Sequence, residues 1–156
     1  MVNETAAWPS TENSATVEPA SSSVWASPAR RFALIFGSVY VLVGVAAFLV
    51  TGLHDFAGPL SSTFVIFAVN PLHNIIHILL GVVWLAGSRT KRGACAANIG
   101  IGAVLGLVTI LGFANVLSFL GINGLADPDN FLHLVTASMS LYFGSAGAEA
   151  SPYRSV

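Results

Sequence analysis

Histidine and aspartate side chains that could bind a metal recur in two segments of the chain. His73 and His77 are four residues apart, and Asp129 and His133 repeat that spacing further along. Residues four apart share one face of a helix, so each pair is expected to present two ligands on one side. Three imidazoles and a carboxylate suit zinc or another divalent transition metal. The first hypothesis is therefore a metal site formed by His73, His77, Asp129 and His133.

Two other uses of these side chains stay open. His77 and His133 could hold a haem, because helix bundles bind cofactors between facing helices. Alternatively, no ligand is needed: Asn74, His77, Asn130 and His133 would hydrogen-bond to one another and lock the helices together. Membrane helices commonly use asparagine and histidine in this way. The sequence favours this structural network over the metal and haem interpretations.

A conduction path is the fourth alternative. Asp129, His133, Thr136 and Ser140 form a polar stripe at helical spacing. In the segment that contains His73 and His77, the residues that match Thr136 and Ser140 are Leu80 and Trp84. Their apolar side chains would block a path that used both segments symmetrically.

Catalytic constellations are missing from the sequence. The serines have no credible His-Asp partners, and Glu149 is the only glutamate outside the N-terminal tail. No phosphate-binding loop follows a strand, because no strands are expected. These features favour a non-enzymatic protein.

The composition is typical of a membrane protein rather than of a soluble one. Of the 156 residues, 54% are hydrophobic and 8% are charged, whereas about a quarter are charged in a typical soluble domain. Six basic residues against seven acidic ones, a net charge of −1, exclude a nucleic-acid partner. A single cysteine excludes a disulfide scaffold. What remains is a small integral membrane protein whose partner is the lipid bilayer.

The charged residues divide the chain into four apolar segments of a length that suits membrane helices, about 20 residues. The predicted spans are about 31–52, 71–88, 95–118 and 128–147, which together give an all-α bundle of four transmembrane helices. The positive-inside rule then places both termini in the cytoplasm and the histidines outside, in a multi-pass protein of the cytoplasmic (inner) membrane. All six basic residues agree with this orientation: Arg30, Arg31, Arg89, Lys91, Arg92 and Arg154.

The two ends of the chain differ from the spans. Residues 1–28 are rich in Ser, Thr, Pro, Ala and Glu, a composition that cannot bury enough apolar surface to order itself. The predicted organisation is a disordered cytoplasmic tail (1–28), a four-helix transmembrane domain (29–147) and a short cytoplasmic tail (148–156).

A weak internal repeat relates the two halves of the transmembrane domain. Residues 73–77 align with residues 129–133, and each segment follows a helix-start signal, Asn70-Pro71 or Asp127-Pro128. Asn or Asp at the N-cap followed by Pro at the first helical position is typical of helix starts. The bundle is thus predicted to consist of two parallel-repeated helical hairpins.

A Gly-x-x-x-Gly pattern in the third span predicts close helix packing. Gly102 and Gly106 would lie on one face of that helix, either against another helix of the bundle or against a second copy of the chain. A homo-oligomer formed through these glycines is therefore one expected assembly.

The repeated segments also resemble a known family. Residues 70–81 and 129–134 are similar to the two signatures of the actinobacterial domain of unknown function 4383 family, whose members are small four-helix membrane proteins. The likeness covers roughly residues 29–147, although Ala137 stands in the second copy where Gly81 stands in the first. The resemblance implies a four-helix membrane fold, and it implies no activity because the family has none assigned.

Overall fold

The described residues form four α-helices and one small β-hairpin. The computed structural model describes Trp25, residues 27–58 and residues 62–149; most of the predicted N-terminal tail and most of the predicted C-terminal tail lie outside these residues. The elements are α1 (Pro28–Thr51), β1 (Ser62–Phe64), β2 (Phe67–Val69), α2 (Pro71–Gly87), α3 (Lys91–Phe113) and α4 (Pro128–Glu149). A single 3₁₀ turn, Ser118–Leu120, lies between α3 and α4. The prediction of a mainly helical fold is confirmed.

The hairpin corrects the expectation that the chain has no strands. β1 and β2 are antiparallel, with Ser62 opposite Val69 and Phe64 opposite Phe67. Aromatic and β-branched side chains favour strands, and this loop is rich in both.

Side chains at the helix starts determine where the helices begin. Ser27, Asn70 and Thr90 each accept a hydrogen bond from the backbone N–H three residues later, which satisfies a donor that the helix leaves unpaired. Asp127 does the same for the backbone N–H of Asp129 at the start of α4. These caps confirm the helix-start signals before α2 and α4.

The third predicted span, 95–118, is wrong at both ends. The Thr90 cap starts α3 at Lys91, so two basic residues belong to its first turn. The helix ends at Phe113 because Asn115 adopts a left-handed backbone conformation with a φ of 57°, which asparagine tolerates better than most residues.

The helices pack as two antiparallel hairpins. α1 packs most extensively on α2, and α3 on α4. Gly102 of α3 lies against Leu141 of α4, where a Cβ atom would approach the leucine side chain to 2.9 Å. This half of the Gly-x-x-x-Gly pattern therefore packs within the bundle, whereas nothing in the described chain would meet a Cβ atom on Gly106.

Polar side chains are buried and large apolar ones face outward. Asn74, Asn98, Asn130 and Ser140 are all buried, whereas Leu49 is 88% exposed. This is the reverse of the usual distribution in a soluble protein. Two described helices, α1 and α3, are long and apolar enough to cross a membrane, and α2 is a shorter apolar helix. The structure thus contains two membrane-crossing candidates by this criterion, and it does not confirm four spans.

The basic end of the bundle is held together by Arg30. Its guanidinium donates hydrogen bonds from Nε to the Ser88 carbonyl, at 2.8 Å, and from Nη2 to the Arg89 carbonyl, at 2.9 Å. The start of α1 is therefore bonded to the connection between α2 and α3. The histidines of α2 and α4 lie near the first residues of these helices, at the end of the bundle away from Arg30.

Candidate metal centre

Three buried histidines converge between α2 and α4. One nitrogen of each of His73, His77 and His133 lies within 4.8 Å of the others. The ring centre of His133 is 6.0 Å from that of His73 and 6.2 Å from that of His77. The structure therefore brings together the three histidines that the spacing of the sequence selected.

The connection between α3 and α4 orients the first of these rings. Asn70 donates a hydrogen bond to the Phe119 carbonyl at 2.8 Å, which holds the 3₁₀ turn against the start of α2. The next carbonyl, that of Leu120, lies 3.1 Å from Nδ1 of His73. Because a carbonyl can only accept, Nδ1 of His73 carries the proton and Nε2 presents its lone pair. Metal-ligating histidines usually make this kind of bond with their second nitrogen.

The exposed lone pair of His73 points towards the second histidine. Nε2 of His73 and Nε2 of His77 are 3.1 Å apart. Two nitrogens that bind one tetrahedral zinc ion at about 2.0–2.1 Å lie about 3.3 Å from each other. The pair thus has nearly the separation that a shared ion requires. With no ion present, the same distance is a hydrogen bond in which Nε2–H of His77 donates to His73.

Asp129 lies beside this cluster with an unsatisfied oxygen. Its Oδ2 is 3.9 Å from Nδ1 of His73, its side chain is almost fully buried, and Oδ2 makes no hydrogen bond within the described chain. Nδ1 of His133 is also buried without a partner there. A buried polar atom without a partner costs about 1–3 kcal/mol, and such atoms commonly mark a site for water or an ion.

An aromatic side chain from α1 covers the site and was not predicted. Tyr40 stacks on His77 with ring centres 4.7 Å apart and an interplanar angle of 26°. Tyr40 also contacts Trp84 edge-on, with ring centres 4.9 Å apart. The signal in the sequence was an aromatic series at helical spacing, Phe32, Phe36 and Tyr40. That series indicates a packed face but not which helix it meets.

The two asparagines of the predicted polar network bond elsewhere. Asn74 donates to Oγ1 of Thr51 at the end of α1, at 2.9 Å. Asn130 donates to the Gly124 carbonyl at 3.0 Å, and its amide oxygen occupies the space where a Cβ atom on Gly112 would be. Each asparagine therefore makes its hydrogen bond within its own helical hairpin. The network of Asn74, Asn130 and the histidines is not formed as predicted.

The surroundings of the histidines bear on the haem and conduction hypotheses. Nε2 of His77, which a haem iron would bind, lies 3.1 Å from Nε2 of His73. On the conduction stripe, Ser140 donates to the Asn98 carbonyl of α3 at 2.7 Å. The polar stripe therefore packs against α3. On α2, Trp84, which follows His77 by seven residues, is fully buried.

Comparison with known proteins identifies a family whose function is unknown. A family model described as a domain of unknown function (DUF4383) matches residues 30–146. No curated protein matches the chain, and no solved structure matches it.

Proposed function

The chain belongs to the DUF4383 family, and we propose that it is a membrane-embedded protein that binds a divalent transition metal ion through His73, His77 and His133. The observation that carries the proposal is the convergence of three buried imidazole nitrogens within 4.8 Å. Imidazole nitrogens suit zinc, copper, iron and nickel. Three histidines with a fourth position left for another ligand is an arrangement that zinc proteins use.

Asp129 completes the proposed site. Its Oδ2 is 3.9 Å from Nδ1 of His73, whose proton is already donated to the Leu120 carbonyl, so after a small movement the carboxyl group would share that N–H with the carbonyl. A carboxylate in that position orients the ligating ring and raises its basicity. The sequence-based hypothesis had Asp129 as a direct ligand; the geometry better supports a role through His73.

A purely structural role explains the site less well. A network selected for stability should pair its buried polar atoms, because half-satisfied networks are unfavourable. Oδ2 of Asp129 and Nδ1 of His133 are both unpaired, and the asparagines that should have supplied partners bond elsewhere. An ion with its own bound water would satisfy such atoms.

The proposal also includes four membrane crossings, so that α2 and α4 cross the membrane together with the two long apolar helices, α1 and α3. Each helix carries exposed apolar side chains, including Leu42, Leu79, Ile110 and Val135, while the polar side chains face inward. Intramembrane polar groups are expected to face the bundle interior. The basic residues near the start of α1 and the α2–α3 connection support cytoplasmic termini in the inner membrane, and two parallel-repeated hairpins agree with the pairing of the helices.

Metal analysis of the full chain tests the function. The protein should be purified in detergent with a tag that contains no histidine, dialysed against zinc or cobalt and analysed by elemental mass spectrometry. We expect about one ion per chain, and visible absorption bands with cobalt. Chelator should lower the melting temperature and zinc should restore it, because a ligand that binds only the folded state stabilises that state.

Matched variants assign the ion to the site. His77→Ala and His133→Ala should lose the ion, whereas His54→Ala should keep it, because His54 is exposed and lies outside the cluster. An absence of bound metal after dialysis, together with a melting temperature that chelator does not change, would overturn the proposal and leave a buried hydrogen-bonded cluster.

A further inference from the structure

An apolar cavity of about 250 Å³ adjoins the metal centre. It lies between α1, the β-hairpin and α4, and Phe36, Tyr40, Phe64 and Phe67 form much of its wall. His77 lies on the same wall. A cavity of about 150 Å³ lined by apolar side chains can hold benzene. This one is therefore large enough for a larger aromatic ring system.

The lining contains polar side chains whose hydrogen-bonding capacity is unused. Asp129 and Tyr40 both line the cavity. Oδ2 of Asp129 and the Tyr40 hydroxyl are buried without a hydrogen bond of ordinary geometry, although Thr136 lies beside the tyrosine. Oδ2 has almost no surface open to the cavity, so the Asp129 side chain must turn slightly before a ligand that donates one hydrogen bond can satisfy this acceptor. A purely apolar ligand would leave it unpaired, at a cost in affinity.

The opening of the cavity lies on the apolar surface of the bundle. Val39 is 47% exposed and Val65 is 77% exposed, and both line the cavity. Val65 lies in the hairpin turn with a φ of 62°, a left-handed conformation that is rare for a β-branched residue. The turn thus holds an apolar side chain at the rim. A ligand would enter from lipid rather than from water.

We propose that this cavity binds an aromatic alcohol of one or two rings, which enters from the bilayer and donates its hydroxyl to Asp129. Aromatic walls favour a flat ring, because aromatic pairs gain energy beyond simple burial. A free carboxyl oxygen favours a hydroxyl donor. The proposal goes beyond the metal site and does not require the ion, although a ligand in the cavity would lie beside His77.

Binding of 1-naphthol tests the proposal, with naphthalene as the ligand that lacks the hydroxyl. The full chain should be placed in lipid nanodiscs, and bound ligand should be measured by equilibrium dialysis against empty nanodiscs of the same lipid. We expect saturable binding of about one 1-naphthol per chain. Naphthalene should bind roughly tenfold or more weakly, because it leaves the acceptor unpaired.

Tryptophan substitutions locate the binding. Val43→Trp should fill the cavity and abolish saturable binding, whereas Val45→Trp should not, because Val45 is exposed on the same helix and is not part of the lining. Val39→Trp, at the more exposed rim, provides the same test if Val43→Trp does not fold. Uptake equal to that of empty nanodiscs, or saturable binding that survives both cavity substitutions, would overturn the proposal. Equal affinity for naphthalene would overturn the role of the hydroxyl.

Zinc content, measured on the same samples, separates this inference from the proposed function. The Val43→Trp protein should keep its ion while it loses 1-naphthol binding. Naphthol binding without any zinc would support the cavity and contradict the metal centre. Zinc binding without saturable naphthol uptake would do the opposite.

Discussion

Gly37 of α1 and Gly81 of α2 pack backbone against backbone. A Cβ atom on Gly37 would lie 2.9 Å from the Gly81 carbonyl oxygen, and one on Gly81 would lie 2.7 Å from the Gly37 carbonyl oxygen. Neither neighbour is a flexible side chain, so the helices would have to separate to admit a methyl group. This contact lets α1 and α2 approach closely and brings Tyr40 onto His77.

The first prediction is that Gly81→Ala destabilises the protein by about 1–3 kcal/mol, as overpacking typically does. Gly106→Ala is the matched control, because nothing in the described chain lies within 4 Å of its Cβ position and alanine favours a helix by up to about 1 kcal/mol over glycine. Denaturant unfolding in detergent, followed by circular dichroism, measures both. Equal losses of stability in the two variants would contradict the packing described here.

The second prediction concerns Asp129. Asp129→Asn should weaken metal binding by about 10–100-fold, the usual effect of removing a group that orients a ligating histidine. The variant keeps the size of the side chain, removes the charge and replaces one acceptor oxygen by an NH2 donor. Competition with a chromophoric chelator gives the affinity, and Asp55→Asn is the control because Asp55 is exposed. An unchanged affinity would show that Asp129 does not act on His73.

The third prediction is a loss of metal on acidification. Binding requires deprotonated imidazoles, so protons compete with the ion and its affinity falls as the pH falls. Since three histidines share the ion, this fall should be steeper than for a site with one histidine. Titrations of zinc at several pH values measure it. An affinity that does not depend on pH would argue against imidazole ligation.

The fourth prediction concerns the basic end of the bundle. Arg30→Ala removes the hydrogen bonds to the Ser88 and Arg89 carbonyls, so it should destabilise the protein by about 1–3 kcal/mol. Arg30→Lys should recover only part of this, because an ammonium group cannot reproduce the planar fork of the guanidinium. Arg92→Ala, in the exposed first turn of α3, should change stability little. Thermal unfolding compares the three variants.

The fifth prediction fixes the orientation in the membrane. In a Cys95→Ala background, His54→Cys should react with a membrane-impermeant thiol reagent added to intact cells. Arg92→Cys should react only after the cells are opened. The basis is the positive-inside rule, which places the α2–α3 connection in the cytoplasm. The reverse pattern of labelling would invert the topology, and labelling of both positions from outside would exclude an odd number of crossings between them, including the single crossing by α2.

The sequence by itself determined the local features of this protein. The cap at Asn70 followed by Pro71 set the start of α2, because capping acts within one helical turn. The four-residue spacing placed His73 and His77 on one face, since helical periodicity is a local property. The family resemblance was confirmed by the match over residues 30–146. The apolar composition indicated a membrane protein, and two long apolar helices agree with it.

Only the tertiary structure decided which of these local features meet. Helical spacing shows which residues share a face but not which helix that face contacts. The spacing therefore selected His133 as a candidate, but it could not show that the ring centre of His133 lies 6.0 Å from that of His73. The contact of the Leu120 carbonyl with His73 and that of Tyr40 with His77 could not be predicted from the sequence. Any backbone carbonyl can accept a hydrogen bond, and any aromatic ring can pack. For the same reason the amide of Asn74 was expected on a histidine and is bonded to Thr51. A side chain that can bond to many partners takes the one that helix packing brings within reach.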